Sequence, residues 1–445
     1  MPLVPLIRDY AAGAVFAFRD GRSISVRQFL QDVEQLAALL PERRHILNLC
    51  SDRYHFVVGF AAALVRGHLS LLPPDQTPNL IAQLSHRYPD LYCLTDAAPE
   101  HDSLLTVAFP RAGDGDGSER PVPAIPAAQV AAIVFTSGST GHPVPNQKSW
   151  GGLVTGARAE ADRLGVRRCP GMVILATVPP QHMYGLESTV LLLMQNGLAL
   201  HAGRPFHTST IRAELLALPQ PRGLVTTPVH LRALVADTDF LPEVNFLLSA
   251  TAPLSPQLAA EAEARFAAPL YEIYGCTEAG QVATRRTVEA TEWRVLPDVT
   301  LRQDSTGTWV QGGHVETEVL LHDVIELLSS ETFLLHGRTA DLVNIAGKRT
   351  SLAHLNHQLN SIAGVRDGVF VMPEEAHGAV TRLVAFVVAP GLTRETVMNA
   401  LRQSIDVAFL PRPLVFVEAL PRNDTGKLPR QALSQFVNQI EQKAG

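Results

Sequence analysis

The sequence predicts an α/β protein with a large N-terminal domain of wound βαβ subdomains and a small α+β C-terminal domain. Short apolar runs alternate with segments of helical periodicity over the first two thirds of the chain, which is typical of a wound parallel sheet. A chain of 445 residues is also too long for a single hydrophobic core, so two or more domains are expected.

The first elements follow this alternation. Apolar residues recur at helical spacing over 26–41, and an apolar run at 45–49 predicts a strand. A second helix is predicted at 54–65 and the strand after it at 69–72. Residues 111–126 are rich in Gly, Asp and Pro, which predicts an exposed loop before the next strand.

The apolar run 131–134 predicts a buried strand. The stretch after it is rich in hydroxyl groups and glycine, and consists of Thr136, Ser137, Gly138, Ser139, Thr140 and Gly141. Glycine lets the backbone approach a ligand closely, and hydroxyl and N–H groups together can surround a polyanion. No Gly-Lys-Ser/Thr closes the stretch, so it is not a P-loop. The residues alone are equally compatible with a phosphate-binding loop and with a polar turn between strands.

The middle of the chain offers two candidate contributors to a binding crevice. A helix at 150–164 and a strand at 172–178 lead into a segment that contains His182, Met183, Tyr184 and Gly185. A histidine at the C-terminal end of a strand is well placed for a ligand, although a core histidine is an equally good interpretation. The predicted strand 246–249 leads into the small residues Ser249, Ala250 and Thr251.

The last third predicts antiparallel structure and then a compact tail. A short strand at 270–273 precedes Tyr274-Gly275-Cys276-Thr277-Glu278, and residues 300–321 alternate as in a small antiparallel barrel or hairpin. The tail has predicted helices at 352–362 and 394–408 and predicted strands at 369–372, 382–388 and 415–418. Asp424-Thr425-Gly426 is a turn signal that would present Lys427.

Composition excludes several classes of protein. The chain is 46% hydrophobic and 18% charged, and its apolar runs are too short to span a bilayer. The N-terminus lacks the pattern of a signal peptide, and four cysteines without metal-ligand spacing predict buried thiols in a reducing cytoplasm. A net charge of −6 argues against general nucleic-acid binding. We therefore expect a cytoplasmic protein with neither a nucleic-acid partner nor a membrane span.

Four stretches, in this order, resemble motifs of the adenylate-forming superfamily, which includes acyl-CoA synthetases, luciferases and peptide-synthetase adenylation domains. They are FTSGSTGHP at 135–143, YGCTE at 274–278, the segment 337–349 and the segment 420–427. In size and style the chain is similar to small bacterial ligases that load aryl or acyl acids onto carrier proteins of aryl polyene pathways. The resemblance implies an adenylation core at 1–337 that binds ATP and acid, and a mobile lid domain at 338–445.

The resemblance also implies roles for individual residues. Tyr274 would stack on adenine, Asp323 and Arg338 would contact the ribose, and the loop 136–141 would hold phosphate. Thr277 would reach the α-phosphate, Glu278 would bind Mg²⁺, and Lys427 would act in adenylation. Arg349 would lie near phosphate, and Gly347 would let a pantetheine arm pass. The acid pocket would be lined by His182, Met183, Tyr184, Gly185, Ser249, Ala250, Thr251 and Gly275. Only the aspartate itself matches at Asp323, so a surface aspartate remains an alternative there.

The implied activity is ATP-dependent activation of a carboxylic acid as acyl-AMP, with release of pyrophosphate and transfer to a thiol. We expect an aromatic acid such as a hydroxybenzoate and, as acceptor, an acyl carrier protein. That acceptor is suggested by the small size and by a tail that carries 12 Lys+Arg against 9 Asp+Glu from residue 338 onward. Coenzyme A as acceptor is one alternative, and a degenerate adenylate-binding protein is another.

Two positions depart from the pattern of the superfamily. Val144 stands where the phosphate loop usually carries lysine, and Lys148 is a candidate substitute four residues on. Ala340 stands at the usually acidic pivot of the lid, with Asp341 beside it.

Overall fold

The computed structural model describes residues 2–11, 13–74, 76–97, 104–110, 118–137, 143–338, 342–345, 348–372, 383–423 and 428–444. In chain order its strands are β1 (Leu3–Pro5), β2 (Val15–Arg19), β3 (Arg22–Ser25), β4 (His45–Asn48), β5 (Leu69–Leu72), β6 (Leu91–Thr95), β7 (Leu105–Ala108), β8 (Ala124–Pro126), β9 (Val130–Ser137), β10 (Pro143–Ser149), β11 (Val173–Ala176), β12 (Ala199–His201), β13 (Arg222–Thr226), β14 (Phe246–Ser249), β15 (Leu270–Cys276), β16 (Gly280–Arg285), β17 (Trp293–Val295), β18 (Thr300–Asp304), β19 (Gly307–Gly312), β20 (Val315–Leu321), β21 (Asp323–Leu327), β22 (Thr332–Arg338), β23 (Leu342–Ile345), β24 (Lys348–Ser351), β25 (Asp367–Val371), β26 (Val384–Val388) and β27 (Leu414–Phe416).

The α-helices are α1 (Val26–Leu39), α2 (Arg53–Val65), α3 (Pro78–Arg87), α4 (Trp150–Leu164), α5 (Met183–Leu186), α6 (Leu192–Met194), α7 (Thr208–Ala217), α8 (Pro228–Ala236), α9 (Pro256–Phe266), α10 (Leu352–Asn360), α11 (Arg394–Ser404) and α12 (Arg430–Ala444). A π-helical segment, Glu187–Leu191, joins α5 to α6, and short 3₁₀ turns occupy Val166–Arg168 and Val407–Phe409.

Two sheets, each with a parallel centre, form the body of the molecule. The six-stranded sheet has the order β10-β9-β5-β4-β6-β7 and is parallel except at the β9–β10 hairpin. The eleven-stranded sheet has the order β21-β22-β17-β16-β15-β14-β13-β11-β12-β2-β3, and its strands are parallel from β2 to β15. The predicted wound α/β architecture is confirmed.

The largest hydrophobic core joins the two sheets. Phe29, Phe56 and Trp150, on three different helices, are at most 1% exposed and share this core with Ile46 of the first sheet and Ile174 of the second. Neighbouring residues of β11 belong to a second core, which α7, α8 and α9 build on the other face of the eleven-stranded sheet. Helix α2, which packs in this core, is apolar on all sides over residues 56–65.

Side-chain caps begin the helices that the sequence predicted best. Ser25 Oγ accepts from the Gln28 amide at the start of α1, and Ser149 Oγ accepts from the Gly152 amide at the start of α4. Asp52 caps α2 through the His55 amide. Each cap contributes about 1 kcal/mol to helix stability. The predicted starts of these helices, at residues 26, 54 and 150, lie within one residue of the observed starts.

Some element predictions need correction. Ala124–Pro126, predicted as part of a loop, forms the short strand β8 paired with β1. The edge strand β10 was not predicted because it contains two prolines; it pairs only with β9, and an edge strand tolerates proline. The predicted helix 394–408 ends at Ser404 and is followed by a 3₁₀ turn.

Residues beyond position 342 build cores of their own. Two hydrophobic clusters, one around Phe370 and Leu401 and one around Phe386 and Val437, contain residues from this part of the chain alone. The antiparallel alternation predicted at 300–321 is confirmed as the three-stranded sheet β18-β19-β20. Within the part of the chain described above, no helix is both long and apolar enough to cross a membrane. All four cysteines are unpaired thiols.

Candidate active site

Four parallel strands bring the predicted site segments to one edge of the eleven-stranded sheet. The carboxyl ends of β11, β13, β14 and β15 lie side by side, because these strands pair in parallel register. Ligands of open α/β sheets bind in the crevice outside such strand ends. The segments after β11, β14 and β15 are the ones in which the sequence placed its acid and nucleotide residues.

The turn that carries Thr277 and Glu278 connects β15 to β16. These strands are antiparallel and pair Cys276 with Gly280, so the turn is tight. A Cβ at Gly275 would overlap the Gly280 carbonyl, which explains the need for glycine at that position. The Glu278 side chain is exposed and the Thr277 side chain is half-buried. Both side chains are therefore available at the crevice edge.

Tyr274, Asp323 and Arg338 meet beside this turn. The Tyr274 hydroxyl donates to Asp323 Oδ2 at 2.8 Å. Asp323 begins β21 and is the direct partner of Arg338 in the β21–β22 pairing. The Tyr274 ring is 8% exposed and packs against Trp293 and Phe333, with centroids 5.8 and 5.6 Å away. Two residues to which the resemblance gives nucleoside roles, Tyr274 and Asp323, are thus in contact, and the backbone of Arg338 is paired beside them.

The segment from His182 to Gly185 is fixed against neighbouring strand ends. The Tyr184 hydroxyl donates to the carbonyls of Thr226 and Leu248, at 3.1 and 3.0 Å. Burial raises the pKa of this hydroxyl well above its ordinary value, so it remains a neutral donor. A Cβ at Gly185 would overlap the Pro179 carbonyl. His182 is half-buried directly before α5, and Met183 lies close to Gly280.

Ser249, Ala250 and Thr251 follow β14 with two unusual features. Ser249 is fully buried, and its Oγ has no hydrogen-bond partner among the described residues. Thr251 has a φ of +80°. A β-branched residue rarely adopts this conformation, and such strain typically costs 1–3 kcal/mol and clusters at functional sites. The conformation of Thr251 fits a functional site, whereas Ser249 is buried behind the surface of the crevice.

The phosphate-loop prediction is tested only at its borders. Thr136 is half-buried near the end of β9, and Ser137 pairs with Pro143 across the hairpin. Gly138, Ser139, Thr140 and Gly141 lie outside the described residues. The connection is thus between two antiparallel strands, a geometry that fits both interpretations left open by the sequence.

The lid residues also remain predictions. Lys427, Gly347, Ala340 and Asp341 lie outside the described residues. The structure describes the backbone of Arg338 and Arg349, which belong to β22 and β24, but it does not describe their side chains.

Sequence reasoning missed a group of buried ionisable residues beneath the Glu278 turn. Glu160 of α4 is fully buried and Glu187 is 5% exposed, and both approach β16. Lys148 Nζ donates to the Glu278 carbonyl at 2.6 Å. The available signal was a charged residue inside an apolar helical pattern, as Glu187 is within Leu186–Met194. Burial raises the pKa of Glu160 to about 7.

Comparisons with known proteins agree with this geometry. The sequence profile of the AMP-binding enzyme family matches residues 8–320. The chain is 28% identical over 304 residues to the 4-coumarate–CoA ligase of Halorhodospira halophila, covering 66% of this chain and 73% of that protein. It is 26% identical over 354 residues to the 2-succinylbenzoate–CoA ligase of Bacillus mycoides, covering 70% and 71%.

Solved structures share the whole fold. The o-succinylbenzoate coenzyme A synthetase of Bacillus subtilis in complex with AMP superposes with a TM-score of 0.78 at 18% identity, covering 94% of this chain and 95% of that one. ATP-bound MatB from Rhodopseudomonas palustris gives a TM-score of 0.80 at 17% identity, covering 96% of each chain. The arrangement of both sheets is therefore that of adenylate-forming enzymes. The chain belongs to the AMP-binding enzyme family, among the AMP-forming acid–thiol ligases.

Proposed function

We propose that this enzyme activates a small aromatic carboxylic acid with ATP, releases pyrophosphate, and transfers the acyl group from acyl-AMP to a pantetheine thiol. The observation that carries the proposal is the meeting of Tyr274, Asp323 and the Glu278 turn at the edge where His182–Gly185 and Ser249–Thr251 also lie. Both reported relatives are named as ligases of acids that contain an aromatic ring, which supports an aromatic substrate.

The chemistry explains why these groups are needed. A carboxylate is a poor electrophile because its leaving group would be oxide. One carboxylate oxygen therefore attacks the α-phosphorus of ATP, and the bond from that phosphorus to the pyrophosphate oxygen breaks. Negative charge accumulates on the phosphoryl oxygens and on the leaving group, so fixed donors and positive charge lower the barrier. The thiol then attacks the acyl carbon and AMP leaves.

The residues of the turn fit a magnesium ion bound with the nucleotide. Mg²⁺ in such enzymes takes one or two carboxylates and completes its coordination with phosphate and water. Glu278 offers one exposed carboxylate, and the described residues contain no cluster of three or more His, Cys, Asp or Glu side chains able to hold a metal. Bound there, the ion would neutralise phosphate charge. Glu278 would orient it, and Thr277 would donate its hydroxyl toward the α-phosphate.

The part of the chain from 338 to 445 is proposed to act as a lid that serves the two half-reactions in turn. Its separate hydrophobic cores support this proposal, because a lobe with its own core can rotate without unfolding. Lys427 would serve adenylation, and the segment Gly347–Arg349 would serve thioester formation.

Coenzyme A is the first acceptor to test. The names of the two relatives both specify coenzyme A, which favours it over the carrier protein expected from the basic tail. Either acceptor presents the same pantetheine thiol, so the described site fits both. Thioester formation measured with coenzyme A and with a phosphopantetheinylated carrier protein separates them.

The test of the first half-reaction is acid-dependent exchange of labelled pyrophosphate into ATP, run with benzoates, cinnamates and fatty acids. We expect exchange with at least one aromatic acid, AMP as the nucleotide product, and loss of exchange in Glu278→Ala. Detection of ADP as product would overturn the proposal.

One observation keeps a binding protein as the second candidate. Val144 is 49% exposed directly opposite Thr136, where the superfamily usually carries a lysine for the phosphates. Exchange with none of the acids, combined with tight adenylate binding, would favour this candidate over the enzyme.

A further inference from the structure

Two ionisable side chains from other elements hydrogen-bond to the backbone of the Glu278 turn. Lys148 Nζ donates to the Glu278 carbonyl at 2.6 Å, and Glu187 Oε1 accepts from the Gln281 amide at 3.3 Å. The two backbone groups bracket the turn, one before Gly280 and one after it. Lys148 thus donates to a carbonyl of the turn, and the carboxyl group of Glu187 accepts from one of its amides.

Gly280 shows how closely Glu187 approaches. Its φ is +82°, and a Cβ placed there would lie 2.7 Å from Glu187 Oε1. Among charged groups, Glu187 also acts most strongly on Lys148, through its electrostatic field. The two side chains come from β10 and from the π-helical segment 187–191, so the turn is tied to two elements outside its own hairpin.

Lys148 is poorly placed to substitute for a lysine at Val144. Both side chains lie on the same face of β10, because they are separated by an even number of residues. Val144 pairs with Thr136 next to the loop, whereas Lys148 pairs with Ala132 at the far end of the strand. Four residues of strand span about 13 Å. The amine is instead hydrogen-bonded beneath the turn.

We propose that Lys148 is a positioning residue: with Glu187 it fixes the backbone of the Glu278 turn, and thereby the direction of the carboxylate proposed to bind Mg²⁺, and it does not itself contact the terminal phosphates of ATP. The last part of this inference rests on the proposed function. The fixing of the turn does not, so the two can fail separately.

The first test measures the turn without substrate. Amide hydrogen exchange of the 277–283 region, followed by mass spectrometry, is compared in the native protein, Lys148→Met and Glu187→Met. We expect exchange at least about tenfold faster in both variants, because each removes a hydrogen bond that restrains the turn. Asn146→Ala is the matched control, because Asn146 lies between Val144 and Lys148 on the same face and donates only to the Val144 carbonyl among the bonds described. Unchanged exchange in Lys148→Met overturns the proposal.

Loss of one charge could unfold the protein rather than loosen the turn. The double variant Lys148→Met/Glu187→Gln removes both ionisable groups, keeps an acceptor for the Gln281 amide, and is the fallback. It is expected to fold and to show the same faster exchange, whereas native-like exchange in the folded double variant contradicts the positioning role. Lys148→Arg keeps a cationic donor and should restore most of the protection.

The second test separates positioning from phosphate contact. In pyrophosphate exchange, Lys148→Met should need about tenfold more Mg²⁺ than the native protein for half-maximal rate, which corresponds to about 1.4 kcal/mol. The KM for pyrophosphate should stay within about twofold of the native value. Adding Val144→Lys should not rescue this variant. A raised KM for pyrophosphate that Val144→Lys restores would show direct contact and overturn the proposal. If the native protein has no exchange activity, the proposed function fails, and hydrogen exchange still decides whether the turn is fixed by Lys148.

Discussion

The hydroxyl of Tyr274 donates to the carboxylate of Asp323 at 2.8 Å across 49 residues of sequence. This bond joins the strand that leads into the Glu278 turn to the strand that faces Arg338. It holds the Asp323 carboxylate in one orientation at the edge of the proposed nucleoside site. Three of our four predictions concern this edge or the elements below it, and one concerns the lid.

Tyr274→Phe should weaken nucleotide binding while leaving the fold intact. The variant keeps the ring and its packing but removes the donor to Asp323, and a hydrogen bond to a charged group is worth about 1.5–3 kcal/mol. We expect the Kd for ATP, measured by calorimetry, to rise about tenfold or more. Tyr271→Phe on the same strand is the control and should leave it unchanged. Equal affinities of the native protein and Tyr274→Phe for ATP would contradict the assignment of Asp323 to the ribose site.

Lys427→Ala should abolish adenylation and spare the second half-reaction. The assigned role places this lysine on the carboxylate and α-phosphate only during the first step. Pyrophosphate exchange should fall to background, whereas thioester formation from supplied acyl adenylate should continue at close to the native rate. Equal loss of both half-reactions would contradict the division of labour between Lys427 and Gly347–Arg349.

Glu160→Gln should stabilise the protein at alkaline pH. Burial raises the pKa of Glu160 from 4.5 to about 7. Between these values the folded state keeps a proton that the unfolded chain has released, so native stability falls as pH rises from about 4.5 to 7 and stays lower above it. A shift of this size corresponds to about 3 kcal/mol.

Urea unfolding at pH 5 and pH 8 checks this prediction. The free energy of unfolding of Glu160→Gln, relative to the native protein, should rise by about 3 kcal/mol between the two pH values. The pKa of the nearby Glu187 is raised first by burial and then by Glu160. Removing Glu160 therefore lowers the pKa of Glu187, which further increases the stability of the variant at alkaline pH. Glu261→Gln is the control, because Glu261 is exposed on α9. A pH-independent difference would show that Glu160 is not buried with a proton.

Gly280→Ala should destabilise the fold more than the same change at another positive-φ glycine. Gly171 has a φ of +73° with nothing within 4 Å of an added Cβ, so Gly171→Ala measures the backbone cost alone, about 1 kcal/mol. At Gly280 the added Cβ also meets Glu187 Oε1 at 2.7 Å. Thermal unfolding should therefore show a larger fall in Tm for Gly280→Ala. Equal falls would mean that Glu187 can move away at no cost, which would also weaken its proposed hold on the turn.

Local pattern was sufficient for the elements whose burial follows their own sequence. Helices α1 and α4 have a polar cap and one apolar stripe, so their bounds could be predicted within a few residues. The strand before YGCTE was predicted to end at residue 273, but β15 continues to Cys276, so only Thr277 and Glu278 of this motif lie in the turn. Strand β8 could not be predicted, since three residues have no period of their own and pair with β1 more than 100 residues earlier.

The positions of Lys148, Glu160 and Glu187 relative to the Glu278 turn could not be predicted from the sequence. The apolar patterns around Glu160 and Glu187 signal burial, but they do not show which backbone groups these side chains approach. Only the packing of both helices against β16 places these carboxyl groups under the turn. Lys148 was noticed as a possible phosphate ligand, but its bond to the Glu278 carbonyl depends on how the two sheets are joined.

The left-handed backbone of Thr251 has a consequence for laboratory evolution of this enzyme. Glycine at that position would relieve about 1–3 kcal/mol of strain, less the cost of its greater freedom in the unfolded chain, so selection for heat resistance alone would favour it. The same replacement deletes a side chain from the rim of the proposed acid pocket. At this residue, a gain in thermal stability is therefore expected to reduce discrimination between acids. A screen that selects only for thermal stability will lower the specificity for the acid.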